Sequence, residues 1–297
     1  MAKKWIVGCA AALLLAAAVL AALRFSGVIS PDAGEEPVPE AAEAPVWPEA
    51  TRAPSGEIPV VRNEGSRYFP EEKNWVYHFT YAYPRLLGGS YTVAQINDTD
   101  QMALDEMTQL VLPMFANAED MRFDGQNEVS HDFTVACNSD RLLSIVQQRS
   151  QTQGEGRVNL SLEAQTFDTA GVYAGDPLTL RGVTLVLAGV DPATLDDVTA
   201  EDAPDYPRIV DGSSVEMGEA LLDALYPRFQ ALQQSGVIRP ELTQSDYELE
   251  FSPTRDFYVN AQGQVVFFFP PMLMTEPSFD PPVFAFRPSE LEAMLGE

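Results

Sequence analysis

Trp75-Val76-Tyr77-His78-Phe79-Thr80-Tyr81-Ala82-Tyr83-Pro84 is the stretch on which the fold turns. Aromatic side chains take every odd position from 75 to 83, the period of two that a strand imposes, and Pro84 marks its end. One face of a sheet is therefore aromatic. Five rings in a row have the shape of a sugar-binding platform, but burial beneath a helix is the commoner use of so much apolar area. His78 falls on the opposite face.

Outward from this strand the pattern switches to a helical period. Asn97 to Met114 reads as the first helix, capped by Asp98 or Thr99, with Ala103, Met107, Leu110, Val111 and Met114 on one side. Pro113 kinks or ends it. Three strands follow, His131–Cys137, Arg141–Arg149 and Val158–Phe167. Leu178 to Val190 is apolar and β-rich, and leads into an acidic loop holding Asp191, Asp196, Asp197, Glu201, Asp202 and Asp205.

The second helix opens on the capping box Ser213-Ser-Val-Glu216, turns Met217, Leu221, Ala224, Leu225 and Leu232 inward, and ends at Gly236. Phe257–Asn260 and Val265–Phe269 are strands joined by the turn Asn260-Ala-Gln-Gly263, and the unbroken apolar run at 265–269 marks a strand covered on both faces. Val283–Phe286 adds a strand, and Ser289-Glu-Leu-Glu292 caps a short terminal helix. The expected fold class is α+β, a largely antiparallel sheet packed against two main helices.

Ahead of this region lie two segments of other character. Trp5 to Leu23 is an uncharged, alanine- and leucine-rich run whose helical length of roughly 28 Å nears the ~30 Å bilayer core. Lys3 and Lys4 precede it, so the positive-inside tendency places the remainder of the chain outside the cell membrane, in a single pass. A signal peptide cleaved after Val19-Leu20-Ala21, releasing a secreted protein, is the rival reading. Cys9 lies in a stretch like a lipoprotein box, with too little apolar chain ahead of it to enter the membrane. Phe25 to Ser66 mixes Pro, Glu and Ala and reads as an extended spacer. The expected division is thus an anchor or signal segment at 1–24, a linker at 25–66, and an exported module whose two parts span 67–165 and 166–297.

Charge is the strongest compositional signal. The whole chain carries −26, and setting aside Lys3, Lys4 and Arg24 leaves 15 basic against 44 acidic residues, a net of −29. That field disfavours nucleic acid and anionic polymers and speeds encounter with cationic proteins in a salt-dependent way. Acidity also serves plain solubility.

Catalytic patterns are missing from the sequence. The two histidines, His78 and His131, sit in no zinc-binding spacing, and no cofactor or metal ligand set stands out. His131 and Cys137 are six residues apart on one strand, roughly 20 Å, beyond reach of a nucleophile–base pair. Cys137 with His78 across strands is the remaining arrangement, set against a plain buried thiol. A pair among the 44 acidic residues suffices for glycoside hydrolysis, so a wall-active glycosidase is the alternative function, but spacing singles out no pair. The acidic loop at 191–205 lacks the alternating ligands and central glycine of a calcium loop.

Short motifs carry a family resemblance. Tyr81-Ala-Tyr83-Pro84 followed by Ile96-Asn97 resembles the opening of the non-catalytic module of a peptidoglycan deacetylase. Phe133-Thr-Val135, Leu143-Ser144, Thr166-Phe-Asp168 and Leu178-Thr-Leu180 resemble the central signature of the RsiV-like extracellular domain, a domain of unknown function shared with the lysozyme-sensing anti-sigma factor of Gram-positive bacteria. Phe257-Tyr258 and Gly263 through Pro270 resemble its closing hairpin. The resemblance runs from Trp75 to Leu291 and implies an α+β outer domain, without enzymatic activity, that binds lysozyme, a cationic wall hydrolase. Two departures stand out. Gly154-Glu155-Gly156-Arg157 replaces the family's Gly-Gly-Ala-His run, and only Met1 to Lys4 precede the apolar segment, which leaves sigma-factor signalling out of the expectation.

Overall fold

The computed structural model describes residues 57–117, 125–153, 157–169, 177–189 and 212–295. The anchor at 5–23, the linker up to residue 56 and the acidic loop at 191–205 lie outside them. All described residues belong to one compact unit.

Five strands make the main sheet in sequence order: β1 (Val60–Phe69), β2 (Tyr77–Leu86), β3 (Asn127–Asn138), β4 (Leu142–Gln153) and β5 (Arg157–Asp168). β1 begins inside the stretch expected to be linker, whose charged residues had masked its alternation. The pairings are antiparallel except β2 with β3, which run parallel from Tyr77↔Asn127 to Tyr81↔His131. The sheet is therefore mixed. Its parallel step exists because the chain leaves β2 through a helical crossover instead of a hairpin.

That crossover starts earlier than the periodicity suggests. Helix α1 (Tyr91–Asp105) is capped by Ser90, whose side chain accepts from the Val93 N–H, and not by Asp98 or Thr99. Asn97 instead ties the helix to the strand before it, its amide clasping both the N–H and the carbonyl of Leu86, at 2.8 and 2.9 Å. The chain runs on through a π-helical turn (Glu106–Val111) into α2 (Leu112–Asn117). Pro113 does not end the helical run, which continues to Asn117. The wider turn just before it holds the Leu112 N–H on the Met107 carbonyl, five residues back, and so takes up the strain a proline ring brings.

Leu178 to Val190 corrects the sequence reading. Residues Leu180–Leu187 form helix α3, capped by Thr179 accepting from the Gly182 N–H. Leu180, Val183 and Val186 share its buried side, and this tertiary burial overrides the β-branched bias of the run. Helix α4 (Gly212–Gln234) buries Leu221, Leu225 and Phe229, with Gly236 at φ +77° beyond its end. Helix α5 (Gln244–Glu250) went unread, although Thr243 and Asp246 form a full capping box. The terminal helix α6 (Pro288–Leu295) follows. Among the described residues no helix is long and apolar enough to cross a membrane.

A second, smaller sheet of order β6-β7-β8 is built from Phe257–Val259, Val265–Phe268 and Val283–Phe286. Its central strand β7 is buried at every residue, as the apolar run foretold. One expected sheet is thus two, and β4 divides their cores. Leu143 and Ile145 join Phe133, Phe167, Val93 and Ile96 under α1. Leu142, one residue away, joins Leu180, Leu225, Phe229, Phe267 and Phe269 on the other side.

Ser144 ties the layers together. Its hydroxyl, fully buried, accepts from the Val259 N–H at 3.1 Å and shares a 2.8 Å hydrogen bond with Thr166. Val259 lies on the edge of the small sheet, so this contact satisfies an N–H that no strand pairs. Ser144→Ala strands that group in an apolar core and is expected to cost about 1–3 kcal/mol, read as a lower urea midpoint at unchanged slope. Ser130→Ala, which removes the part-buried 2.7 Å bond to Ser150, should cost less than about 1 kcal/mol.

Candidate functional site

The two sheets differ greatly in strand length, and a cleft follows from the mismatch. β3, β4 and β5 are each 12 residues long, whereas β6 has three and β7 four. At ~3.3 Å per residue the small sheet covers only part of the large one. At the margin of the covered region lies a cleft of about 370 Å³. Thr134 and Ala136 of β3, Val146 and Gln148 of β4 and Leu162 of β5 line one side, all on the same face by register. Tyr258, the turn at 260–262, Phe268 and the segment from Phe279 to Val283 line the other.

The turn is held by Asn260. Its carbonyl oxygen accepts from the N–H groups of Gln262 and Gln264, both at 3.0 Å, while its NH₂ donates to the Gln264 side chain. Gly263 supplies the positive φ of +70° that closes the loop. The side chains of Thr134, Gln148 and Gln262 make no hydrogen bond among the described residues, which leaves their polar ends available to a ligand. Asp280 is the one acidic residue of the lining, and no lining residue is basic. Burial pushes the Tyr258 phenol upward, and the Asp280 carboxylate pushes it further.

A second polar group runs from beneath α1 to the edge of the main sheet, buried at Asp100, Gln147 and His131 and exposed at Glu163. Glu163 pairs with Arg149 at 3.0 Å, Arg149 donates to the Gln147 oxygen at 3.1 Å, and the Gln147 amide reaches Asp100 of α1 at 3.5 Å. Burial pushes the Asp100 carboxyl up to about 7 against the pull of Arg149. His131 lies against Tyr83, ring centroids 4.0 Å apart and 38° from parallel, and both its ring nitrogens are buried without a well-formed hydrogen bond, the Gln147 side chain being the one that acts on them. Burial, with Arg149 adding to it, lowers its pKa to about 3. His131 is thus a neutral core ring, and Tyr83, raised to about 12 by burial, stays protonated beside it.

The aromatic stripe divides between two environments. Tyr77, Phe79 and Tyr83 are buried, as expected of a face under a helix. Tyr81 is half-buried and leans across Gly65, where an added Cβ would lie 2.5 Å from its hydroxyl. Trp75 leaves the stripe. It sits edge-on to His78, which stacks on Tyr68 at 4.2 Å and bonds the Ser66 hydroxyl at 2.8 Å. A five-ring platform is not formed.

The remaining candidate pair is also kept apart. His78 aligns with Glu128 on β3, nine residues from Cys137, roughly 30 Å along the strand. Cys137 is buried with its Sγ on the Leu142 carbonyl, and burial raises its pKa, which suppresses the nucleophilic thiolate. Among the described residues no three metal-binding side chains come together. The cleft is therefore suited to hold a ligand by stacking, hydrogen bonding and one negative charge. Sequence reasoning missed it because its lining comes from six separated segments.

No family model matches the chain, and no curated protein matches it. Among solved structures, a DUF3298 family member from Bacteroides fragilis is similar, at 15% identity and a TM-score of 0.43, across 81% of this chain and 94% of that one.

The polar group beneath α1 sets a pH dependence. Unfolded, Asp100 titrates near 4 and folded near 7, so between those values a rise in pH favours the unfolded chain. His131 acts oppositely: unfolded it takes a proton near 6.5 and folded only near 3, so a fall in pH through that window favours unfolding. Asp100→Asn is accordingly expected to gain stability over the parent at pH 8 relative to pH 5, on the order of 1–3 kcal/mol. His131→Phe should retain more stability than the parent as pH falls from 6.5 to 4. Urea unfolding of parent and variants at each pH checks both, and taking differences removes the contribution of Asp256, also raised to about 7 by burial.

Proposed function

We propose that this chain is a binding module of the RsiV-like type that works outside the cell, tethered to the membrane by residues 5–23, and holds a cationic protein partner without turning it over. The observation that carries the reading is a combination of charge and shape. A chain of net −26 bears a cleft with aromatic, amide and hydroxyl groups, one carboxylate and no basic residue in its lining. The long-range field gathers cationic partners, and the cleft gives them a specific seat. A cationic wall hydrolase such as lysozyme is the partner class with the matching charge. Export by the apolar amino-terminal segment brings the module to the compartment where such hydrolases act.

The geometry sits with binding better than with hydrolysis. Of the two carboxyls whose pKa burial raises to about 7, Asp100 is closed off beneath α1 and Asp256 lies outside the cleft lining, and the cleft has a single carboxylate where glycoside cleavage needs two.

Titration of lysozyme into the full chain at about 0.15 M salt, followed by calorimetry, tests the proposal. Saturable binding that weakens at least about tenfold when salt rises to roughly 0.5 M is expected. No heat of binding at either salt concentration, or release of soluble sugar from peptidoglycan by the chain itself, overturns it.

A further inference from the structure

We infer that the cleft between the two sheets is a receptor for one arginine side chain of the partner, with Asp280 as its counter-ion and Tyr258 and Phe279 as its stacking surfaces. This rests on the binding-module reading and names the group that the cleft recognises.

Size sets the first limit. At about 370 Å³ the cleft stands near the lower end of the range of small-molecule sites, roughly 300–1,000 Å³. An α-helix, ~10–12 Å across with its side chains, does not enter such a space, whereas one long side chain does. Charge sets the second. Asp280 is the sole ionised lining residue, it is exposed, and its field already reaches the Tyr258 phenol. No lining cation neutralises it. An anionic ligand is thereby disfavoured and a cationic one drawn in.

The remaining chemistry separates arginine from lysine. Tyr258 and Phe279, both half-buried, offer ring area to the cleft, and the fully buried Phe268 backs the Tyr258 ring at 6.3 Å and 32° from parallel. A planar, weakly hydrated guanidinium stacks on such faces better than a compact ammonium does. Its five N–H donors also need several acceptors in a fan. The side-chain carbonyls of Gln148 and Gln262, the Thr134 hydroxyl and the Asp280 carboxylate supply that set, and none of the first three is engaged by the described residues. Asn260 is not in the set, because the turn has already used its amide. The same clamp on Asn260 holds the backbone of Gln262 in place at the mouth of the cleft.

Three blocked tripeptides, acetyl-Gly-Arg-Gly-amide and its citrulline and lysine counterparts, titrated into the full chain and followed by NMR, decide the matter. Citrulline keeps the shape of arginine and removes its charge. The arginine peptide is expected to bind at least tenfold more tightly than the citrulline peptide, with lysine between them. Asp280→Asn should bring the arginine peptide down to the citrulline level, and Tyr258→Ala should weaken arginine and citrulline together. An unchanged thermal midpoint for Asp280→Asn, at an exposed loop position, shows that the fold is intact. Equal affinity for arginine and citrulline, or indifference to Asp280→Asn, overturns the assignment.

Lysozyme titrated into the same variants separates this inference from the broader one. Binding that is as tight to Asp280→Asn and Tyr258→Ala as to the parent leaves the module reading standing and removes the cleft from it. Arginine-selective peptide binding without any lysozyme binding retains the receptor and rejects that partner.

Discussion

Ser144 occupies the position on which the two halves of the molecule depend. It lies on β4, the strand whose neighbours Leu142 and Leu143 enter different cores, and on the Leu142 side its one hydroxyl joins the main sheet to the small one. A strand covered on both faces leaves no room for unsatisfied polar atoms, and the edge of a second sheet brings one with it. The hydroxyl resolves this by taking the Val259 N–H while keeping Thr166 as a second partner. A hydrophobic residue here would pack, but it would leave the edge of β6 without an acceptor. Docking of the small sheet is therefore specified by a polar contact set among apolar ones.

The cleft is a consequence of that docking. Three long strands receive a hairpin of three- and four-residue strands, pinned at Ser144, and the cover ends before the sheet does. Beyond the margin the same face of β3 to β5 shifts from Leu142 and Ser144 to Val146 and Gln148. The polar side chains there line a space instead of filling a core. Aromatic rings that elsewhere pack against each other, as Phe269 does with Phe229, Phe251 and Phe284, are matched at the cleft by unengaged amides.

Under α1 the balance is different. Asp100, His131 and Tyr83 are buried in their neutral forms, and the chain of contacts through Gln147 and Arg149 to Glu163 leads their polarity outward to solvent. Desolvation dominates each of the three shifts, which marks a structural group adapted to its burial and not a reacting one. The nitrogens of His131, without a well-formed hydrogen bond, cost stability that the surrounding apolar contacts offset.

Local pattern was enough for the existence of the aromatic strand, which however runs through Pro84 to Leu86 instead of ending at the proline, and for the strand at 265–268, the turn closed by Gly263, the long helix ending before Gly236 and the α+β class, because period and turn chemistry act over a few residues. The sequence alone also determined the net charge of −26. It did not determine that Leu180–Leu187 is helical, since an apolar run suits a buried strand and a buried helix equally until its neighbours are known. Nor did it show β1, or that β2 and β3 run parallel, because pairing depends on where the crossover helix returns the chain. The cleft belonged wholly to the tertiary structure. Thr134, Gln148, Tyr258, Gln262 and Asp280 are ordinary side chains in the sequence, and only the mismatch in length between two docked sheets brings them around one space.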